Sequence, residues 1–182
     1  MDVGNTAAFP DTGSIEDGIL VGEDHRGVFI TALGSIRAAL CYPLRETVLS
    51  RIEEAADVPA VFVDLSRCRY MDSTFIGLLV AIDRKLQRGL GGRLHVVDPS
   101  PESLDLLRQL GLLEILVVQT GGLNPPAMRG LDSPAERPGA EFVLRAHEAL
   151  MESSEEARKK FALLREVLEG KLKTEKPPGD TR

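Results

Sequence analysis

The sequence predicts an α/β domain with a single mixed β-sheet and packed helices, in the order β-β-α-β-α-β-α-β, followed by a C-terminal helical extension. Two patterns support this fold class. Short Val-, Ile- and Leu-rich runs alternate with segments of helical period, which implies parallel strands joined by right-handed crossovers. Two earlier apolar runs flank a short charged turn, which indicates a hairpin and makes the sheet mixed.

The first half of this domain contains a hairpin, a helix and a buried strand. The hairpin runs "GILVGED" and "VFITALGS" are separated by Asp24-His25-Arg26-Gly27. The segment "PLRETVLSRIEEAAD" has apolar residues at helical spacing, and Pro43 lies in its first turn. The continuous run "AVFVDL" is typical of a strand that is covered on both faces.

The second half alternates helices with strands. A helix begins at Asp72 and ends near Arg88, before the glycine-rich "GLGG". The strand "RLHVVD" follows, and then a helix in "SPESLDLLRQLGL" with Ser100 as N-cap, Pro101 at its first position and Gly111 past its end. The run "EILVVQ" is the predicted last strand.

Composition divides the chain into five segments. Residues 1–16 are a predicted disordered lead-in, and 174–182 a disordered tail. The α/β domain spans 17–120, a Gly/Pro-rich linker spans 121–139, and 140–173 form an amphipathic helix or helical hairpin. The apolar stripe of this last segment needs a cover. The domain itself, a second copy in a homodimer, or another protein would each supply one.

Charge and composition argue against several function classes. A net charge of −6, 4% aromatic residues and no Trp disfavour a nucleic-acid binder, which needs a basic patch or stacking rings. No apolar run reaches the ~18 residues of a membrane span. The N-terminus lacks the basic and apolar regions of a signal peptide, so we expect a cytoplasmic protein without membrane contact.

The chemistry-bearing residues do not form an enzyme site in the sequence. Cys41 and Cys68 are far apart and are expected to be reduced packing residues. His25, His95 and His147 lack metal-ligand spacing. No phosphate-binding glycine loop is present, and a nucleophilic serine would need a base that the sequence does not identify. We therefore expect no metal, no cofactor and no enzymatic activity.

The helix that begins at Asp72 has an unusual outer face. One side of the helical wheel is apolar and faces the sheet, whereas the other carries Ser73, Gly77, Val80 and Arg84, with Ile76 at its flank. Glycine inside a helix costs about 1 kcal/mol relative to Ala, but it lets another chain approach closely. The face is therefore a docking surface, or else a loop or the C-terminal helix covers it.

The hydroxyl at the start of this helix has two explanations. Asp72 or Ser73 serves as an N-cap. Alternatively, Ser73 is a phosphorylation switch, because phosphate would add about −1.5 to −2 charges that a helix N-terminus tolerates. The same charge, beside Asp72 and Asp64 in an apolar contact, would repel a partner. Such a modification would eject the partner and leave the fold intact.

The stretch "VFVDLSRCRYMDSTFIGLLV" resembles the signature of the STAS family, of the anti-sigma factor antagonist (anti-anti-sigma factor) type. The element order agrees from residue 17 to 120. The resemblance implies a STAS-like fold and makes Ser73 the phosphorylation site, with Thr74 as the neighbouring hydroxyl and alternative site. It also matches Asp72 to the acid that precedes the serine and Gly77 to the helix glycine.

The resemblance further implies a partner switch. Unphosphorylated Ser73 permits binding of an anti-sigma factor that is also a Ser/Thr protein kinase, which releases a sigma factor; a phosphatase is a further implied partner. The expected partner-binding residues are Asp64, Ser66, Asp72, Ser73, Thr74, Ile76, Gly77, Val80, Arg84 and Arg37. Arg37 stands where the family commonly carries an acid, and a short insertion, "AALCY", follows it.

The alternative function is a STAS module that binds a small ligand or lipid, or serves as a scaffold subunit, without sigma control. Asp64, Ser66, Asp72 and Ser73 lie near one strand end, the usual place for ligands in open α/β sheets.

Overall fold

The computed structural model describes residues 16–54, 60–89, 91–132 and 138–175. Nearly all of the predicted lead-in and tail therefore lie outside the described residues. The elements are β1 (Gly18–Asp24), β2 (Gly27–Ile36), α1 (Ala38–Glu54), β3 (Ala60–Asp64), β4 (Cys68–Met71), α2 (Ser73–Gly89), β5 (Arg93–Val97), α3 (Pro101–Gln109), β6 (Val117–Gln119), β7 (Arg129–Gly130), α4 (Ala140–Ser153) and α5 (Glu155–Glu175).

The strands form one mixed sheet in the order β6-β5-β3-β2-β1-β7, with β4 paired to β2 off this path. β1 is antiparallel to β2 and to β7, whereas β2, β3, β5 and β6 are parallel neighbours. The predicted fold class is confirmed. The helices between the parallel strands provide the crossovers that such pairing requires.

The hairpin between β1 and β2 is as the sequence predicts. Asp24 pairs with Gly27 in register, so His25 and Arg26 form the turn. The Asp24 carboxylate accepts hydrogen bonds from the Arg26 backbone N–H at 2.8 Å and from its guanidinium. Gly27 has φ +140°, and a Cβ there would lie 2.0 Å from the Ala60 carbonyl oxygen, so only glycine fits.

Three strand predictions need correction. β4 was missed because its four residues, Cys68–Met71, carry no period-2 apolar alternation. β7 lies in the predicted linker, where two residues, Arg129–Gly130, pair with β1. The last parallel strand is shorter than "EILVVQ": β6 comprises only Val117–Gln119, because residues 113–115 form a turn.

The start of α1 also differs from the prediction. The helix begins at Ala38, so "AALCY" is its first part rather than an insertion before it, and Pro43 lies inside the helix. The backbone N–H of Ala38 donates to Asp72 Oδ2 at 2.8 Å, which caps the helix from 34 residues away. Because this cap is distant in sequence, the local start signal at Pro43 was misleading.

The main core lies between the sheet and helices α1 and α2. Its fully buried members include Ile30, Val63 and Leu94 from the strands and Leu44 and Leu79 from the helices. On the other face of the sheet three rings form a row across neighbouring strands. Phe29 stacks on Phe62 at 4.9 Å, and Phe62 stacks on His95 at 5.1 Å. Phe62 and His95 are half-buried, so β3 is not fully covered on both faces.

A buried carboxylate connects the second half of α2 to β5. Asp83 has no solvent exposure, and its Oδ1 accepts hydrogen bonds from the Leu94 backbone N–H at 2.8 Å and from Arg93 Nε at 3.1 Å. Its Oδ2 accepts from Gln87 Nε2 at 2.6 Å. These partners satisfy a charge that would otherwise be costly to bury.

Candidate functional site

Asp72 is the N-cap of α2, which leaves the hydroxyl of Ser73 available for another contact. Asp72 Oδ1 accepts a hydrogen bond from the Phe75 backbone N–H at 2.9 Å, and Oδ2 accepts the one from Ala38. One carboxylate thus caps two helices. Of the two capping candidates in the sequence, Asp72 has this role and Ser73 is the first residue of the helix.

We expect Asp72→Ala to destabilise the protein by more than an ordinary cap deletion. The loss of one N-cap costs about 0.5–2 kcal/mol, and this substitution removes the N-cap of both α1 and α2. Urea unfolding followed by circular dichroism measures the change. Ser66→Ala, an exposed hydroxyl deletion close by, is the control and should stay within about 0.5 kcal/mol of the wild type. Equal stability of both variants would contradict the double cap.

Ser73 is hydrogen-bonded to His147 of α4: the distance from Oγ to Nε2 is 2.8 Å. The other ring nitrogen, Nδ1, lies 2.7 Å from the Val143 carbonyl oxygen. Because a carbonyl only accepts, Nδ1 carries the proton, and in the neutral ring Nε2 accepts the hydroxyl hydrogen of Ser73. His147 is 1% exposed, and its ring packs edge-on against Phe161 of α5 at 5.0 Å.

The backbone of α4 touches α2 at Gly77. A Cβ at this position would lie 2.2 Å from the Ala146 carbonyl oxygen and 2.7 Å from its carbonyl carbon. Ile76 and Val80, on the same side of α2, have no solvent exposure. Further along, Arg84 donates to Glu152 at 2.6 Å. Gly77 therefore serves the close approach that the sequence predicted, and the chain's own α4 makes it.

The outer face of α2 is thus covered within the same chain. We call the residues Ser73, Ile76, Gly77, Val80 and Arg84 the α2 face. The expectation that these residues form an exposed docking surface is not met in this structure, and the alternative, a cover by the C-terminal helix, is the one observed. The apolar residues of α4 are covered in the same contact, whereas Leu163 and Val167 of α5 are 72% and 49% exposed.

Of the remaining predicted partner residues, Thr74 is buried at 4% exposure, whereas Asp64, Ser66 and Arg37 are at least partly accessible. Asp64 ends β3, and its carboxylate accepts the Ser66 backbone N–H at 2.8 Å. Ser66 is exposed. The Arg37 guanidinium stacks over the Tyr70 ring at 5.2 Å, and 48% of Tyr70 is exposed. The predicted surface is therefore split into a covered part on α2 and an accessible part at the ends of β2, β3 and β4.

His147 is the site residue that the sequence interpretation missed. The sequence showed only that His147 lacks metal-ligand spacing, and it identified no base for a serine. The structure places its ring against the Ser73 hydroxyl from 74 residues away. Because this pair lies in a helix–helix contact, we interpret it as an interhelical bond. No local signal marks it, since an imidazole on the apolar side of an amphipathic helix reads as packing.

Both cysteines are free and buried, as predicted. Burial, together with the nearby negative charge of Asp72, raises the pKa of the Cys41 thiol. Burial likewise raises the pKa of Cys68. Neither thiol is therefore a reactive thiolate at neutral pH.

A cleft of about 280 Å³ lies between α1, α2 and α4. Its floor is apolar, with Leu49, Leu78 and Phe142. The cations at its rim are already paired within the chain, in the bridges Arg45–Glu46, Lys85–Glu53 and Arg145–Glu141. The cleft is slightly smaller than most ligand pockets, which start near 300 Å³.

None of the described helices has the length and apolar character that a bilayer crossing demands. Comparison with curated proteins finds no match. Among solved structures, the chain is similar to the anti-sigma factor antagonist SpoIIAA in its unphosphorylated form, with 22% identity and a TM-score of 0.52 over 57% of this chain and 88% of that one. It is also similar to the Bacillus cell fate determinant SpoIIAA in the phosphorylated form, with 21% identity and a TM-score of 0.50 over 57% and 91%.

These likenesses show the fold. The family is shown by a model described as "Mlab, STAS domain" (STAS_2), which matches residues 19–118, more than half of the chain. The match covers the sheet from β1 to β6 with helices α1 to α3, and it ends before α4. The chain therefore belongs to the STAS domain family.

Proposed function

We propose that the protein is an anti-sigma factor antagonist that works as a phosphorylation-gated interaction switch. Unphosphorylated Ser73 permits binding of an anti-sigma factor that is a Ser/Thr protein kinase, which then releases a sigma factor; a phosphatase resets the switch. The proposal places this exchange in the cytoplasm, where ATP is available. Its main support is one observation: the Ser73 hydroxyl lies at the edge of an apolar helix face that accepts another helix.

The position of Ser73 suits a modification that spares the fold. Asp72 already caps α2, so the fold does not use the Ser73 hydroxyl as a cap. Transfer of the γ-phosphoryl group of ATP to Ser73 Oγ forms the O–P bond and releases ADP and the hydroxyl proton. The added charge is stabilised at the N-terminus of α2. A helix seated on the α2 face would meet that charge in an apolar contact, where desolvation makes it unfavourable.

The choice between the two hydroxyls favours Ser73. Thr74 is 4% exposed, whereas Ser73 is half-buried at the first position of α2. Phosphate on Thr74 would have to enter the interior beside the sheet. We therefore assign the switch to Ser73.

We expect an anti-sigma factor kinase to add one phosphoryl group to this chain in the presence of ATP. The modification should be absent in Ser73→Ala and retained in Thr74→Val, as intact-protein and peptide mass spectrometry would show. In a calorimetric titration, Ser73→Asp should abolish binding to the kinase, with the circular dichroism spectrum unchanged, and Ser73→Ala should bind constitutively. Retained binding by Ser73→Asp would refute the gated switch.

A second candidate function is a STAS module that binds a small ligand or lipid, or acts as a scaffold subunit. The cleft between α1, α2 and α4 favours it. The cations at the rim of this cleft are already paired within the chain, so they are not free to bind an anionic ligand. The second function therefore has less support than the phosphorylation switch at Ser73. A lipid or nucleotide that co-purifies with the chain and is unaffected by Ser73→Asp would favour this second function.

A further inference from the structure

We propose that α4 is an internal competitor for the α2 face, so that the chain's own helix and an external helix occupy this face alternately. The inference rests on the proposed function, which supplies the external partner. It adds a regulatory element to the switch: the affinity for a partner is set by how firmly α4 is seated, as well as by the state of Ser73.

The domain is complete without α4. The family match spans residues 19–118. It contains α1, α2, α3 and the described sheet, except for β7, Gly18 at the start of β1 and Gln119 at the end of β6. The Gly/Pro-rich sequence 121–139 joins this domain to α4. Departure of α4 would break no strand pairing of the described sheet, because α4 contributes no strand. It would uncover Ile76 and Val80, which then need another apolar cover.

The contact between α2 and α4 is selective. At Gly77 the backbone of α4 lies directly against α2: an ideal Cβ on Gly77 would be 2.2 Å from the Ala146 carbonyl oxygen, and Ala146 itself is 6% exposed. Ser73, one turn before Gly77 on α2, is hydrogen-bonded to His147, the residue after Ala146 on α4. A competing helix must therefore bring its own backbone equally close to Gly77, and an acceptor opposite Ser73 would improve its fit. This defines the kind of partner that the α2 face takes.

The seating of α4 also protects Ser73. The 2.8 Å distance between Oγ and the His147 ring leaves no room for a phosphoryl group. Since His147 is 1% exposed and the α4 backbone already touches Gly77, the ring cannot move away without displacement of α4. Phosphorylation of Ser73 thus requires α4 to leave first. The seated α4 therefore slows both the binding of a partner to the α2 face and the phosphorylation of Ser73.

The test uses the full-length chain and a fluorescein-labelled peptide of residues 138–153 as the external helix. In the wild type the attached α4 has an effective concentration on the order of millimolar, so it excludes the free peptide. Ala146→Leu adds three carbons to a side chain that is 6% exposed, which overpacks this contact and destabilises the seated α4, and it leaves every α2 residue unchanged. We expect this variant to bind the wild-type peptide at least about tenfold more tightly than the wild-type chain does, by fluorescence anisotropy.

The controls distinguish competition for the α2 face from a general destabilisation of the C-terminal helices. Ala162→Leu makes the same change at an exposed position of α5 and should leave peptide affinity at the wild-type value. A peptide that carries Ala146→Leu should not bind any chain. The free peptide is only marginally helical, so its binding includes the free-energy cost of helix formation. This cost is the same for every chain and cancels in the comparison. His147→Ala, which removes the bond to Ser73 without added bulk, is the second variant if Ala146→Leu fails to fold.

Hydrogen–deuterium exchange of α2 provides the second measurement. Faster exchange of residues 76–84 in Ala146→Leu, reversed by saturating peptide, supports the proposal. A folded Ala146→Leu chain with unchanged exchange or without the gain in peptide affinity overturns it.

This experiment contains neither kinase nor nucleotide, so its outcome is independent of the proposed function. With a kinase in hand, equal rates of Ser73 phosphorylation in the wild type and Ala146→Leu would overturn the competition and leave the switch in place. No phosphorylation of either chain, with the peptide result positive, would refute the switch alone.

Discussion

Gly77→Leu is expected to separate α4 from α2 and to leave the STAS domain folded. A Cβ at this position would already lie 2.2 Å from a backbone carbonyl oxygen of α4, and three more side-chain carbons would have to fit beyond it. Backbone cannot rotate away as a side chain can, so α4 must move as a unit. Leu144, Leu150 and Met151 of α4 then lose their buried environment.

Exchange rates measure this separation directly. Burial of one large apolar side chain is worth about 1.5–3 kcal/mol, and a loss of about 3 kcal/mol corresponds to roughly a hundredfold faster exchange of the α4 amides. Gly89→Leu is the matched control, because Gly89 belongs to the same helix and has no atom within 4 Å of its ideal Cβ. We expect its exchange pattern to equal that of the wild type.

Gly77→Leu also differs from Ala146→Leu in a useful way. Both displace α4, but Gly77→Leu spoils the α2 face itself, so it should bind neither the α4 peptide nor an external helix. Full protection of α4 in Gly77→Leu would show that the two helices can shift apart locally, and it would contradict the close approach described for Gly77.

Asp83→Ala is expected to cause the largest loss of global stability, about 3 kcal/mol or more. The substitution removes the acceptor for three donors at once and leaves the Leu94 backbone N–H buried without a partner. Arg93, which is 39% exposed on its side chain, regains water and reduces the penalty. The unfolding free energy from urea titration gives the size of the effect.

Asp105→Ala is the control for this loss. Asp105 forms an ion pair with Arg108 on α3, but its side chain is 64% exposed, so the change should stay within about 1 kcal/mol. Comparable losses in the two variants would mean that the burial of Asp83 contributes little beyond an ordinary surface pair.

Elements whose signals are local could be predicted from the sequence. α3 has its N-cap, its proline and its terminal glycine within twelve residues, and the structure shows Ser100 accepting the Ser103 N–H and Gly111 at φ +66°. The hairpin and α2 are local in the same sense. α1 is different, since its cap comes from Asp72, and the strands β4 and β7 are defined only by their pairing with β2 and β1.

Only part of the site could be predicted from the sequence, because the rest depends on contacts between residues that are distant in the chain. The wheel of α2 separates its two faces correctly, and Gly77 does mark a close backbone approach. The wheel does not say whose backbone approaches. That depends on how α4 packs after a long Gly/Pro-rich connection, and nothing in residues 140–153 alone specifies Gly77 as the contact. His147 escaped notice because its role exists only after this packing.

The Asp72 carboxylate, which caps both α1 and α2, links the positions of these two helices. Its two oxygens set the spacing between the first turns of α1 and α2, and Arg37, which precedes α1, is stacked on Tyr70 in the accessible region. A change in the tilt of α2 at its N-terminus would therefore displace Ala38, the residue that follows Arg37. One carboxylate thus joins the covered part of the predicted surface, on α2, to the accessible part around Arg37 and Tyr70.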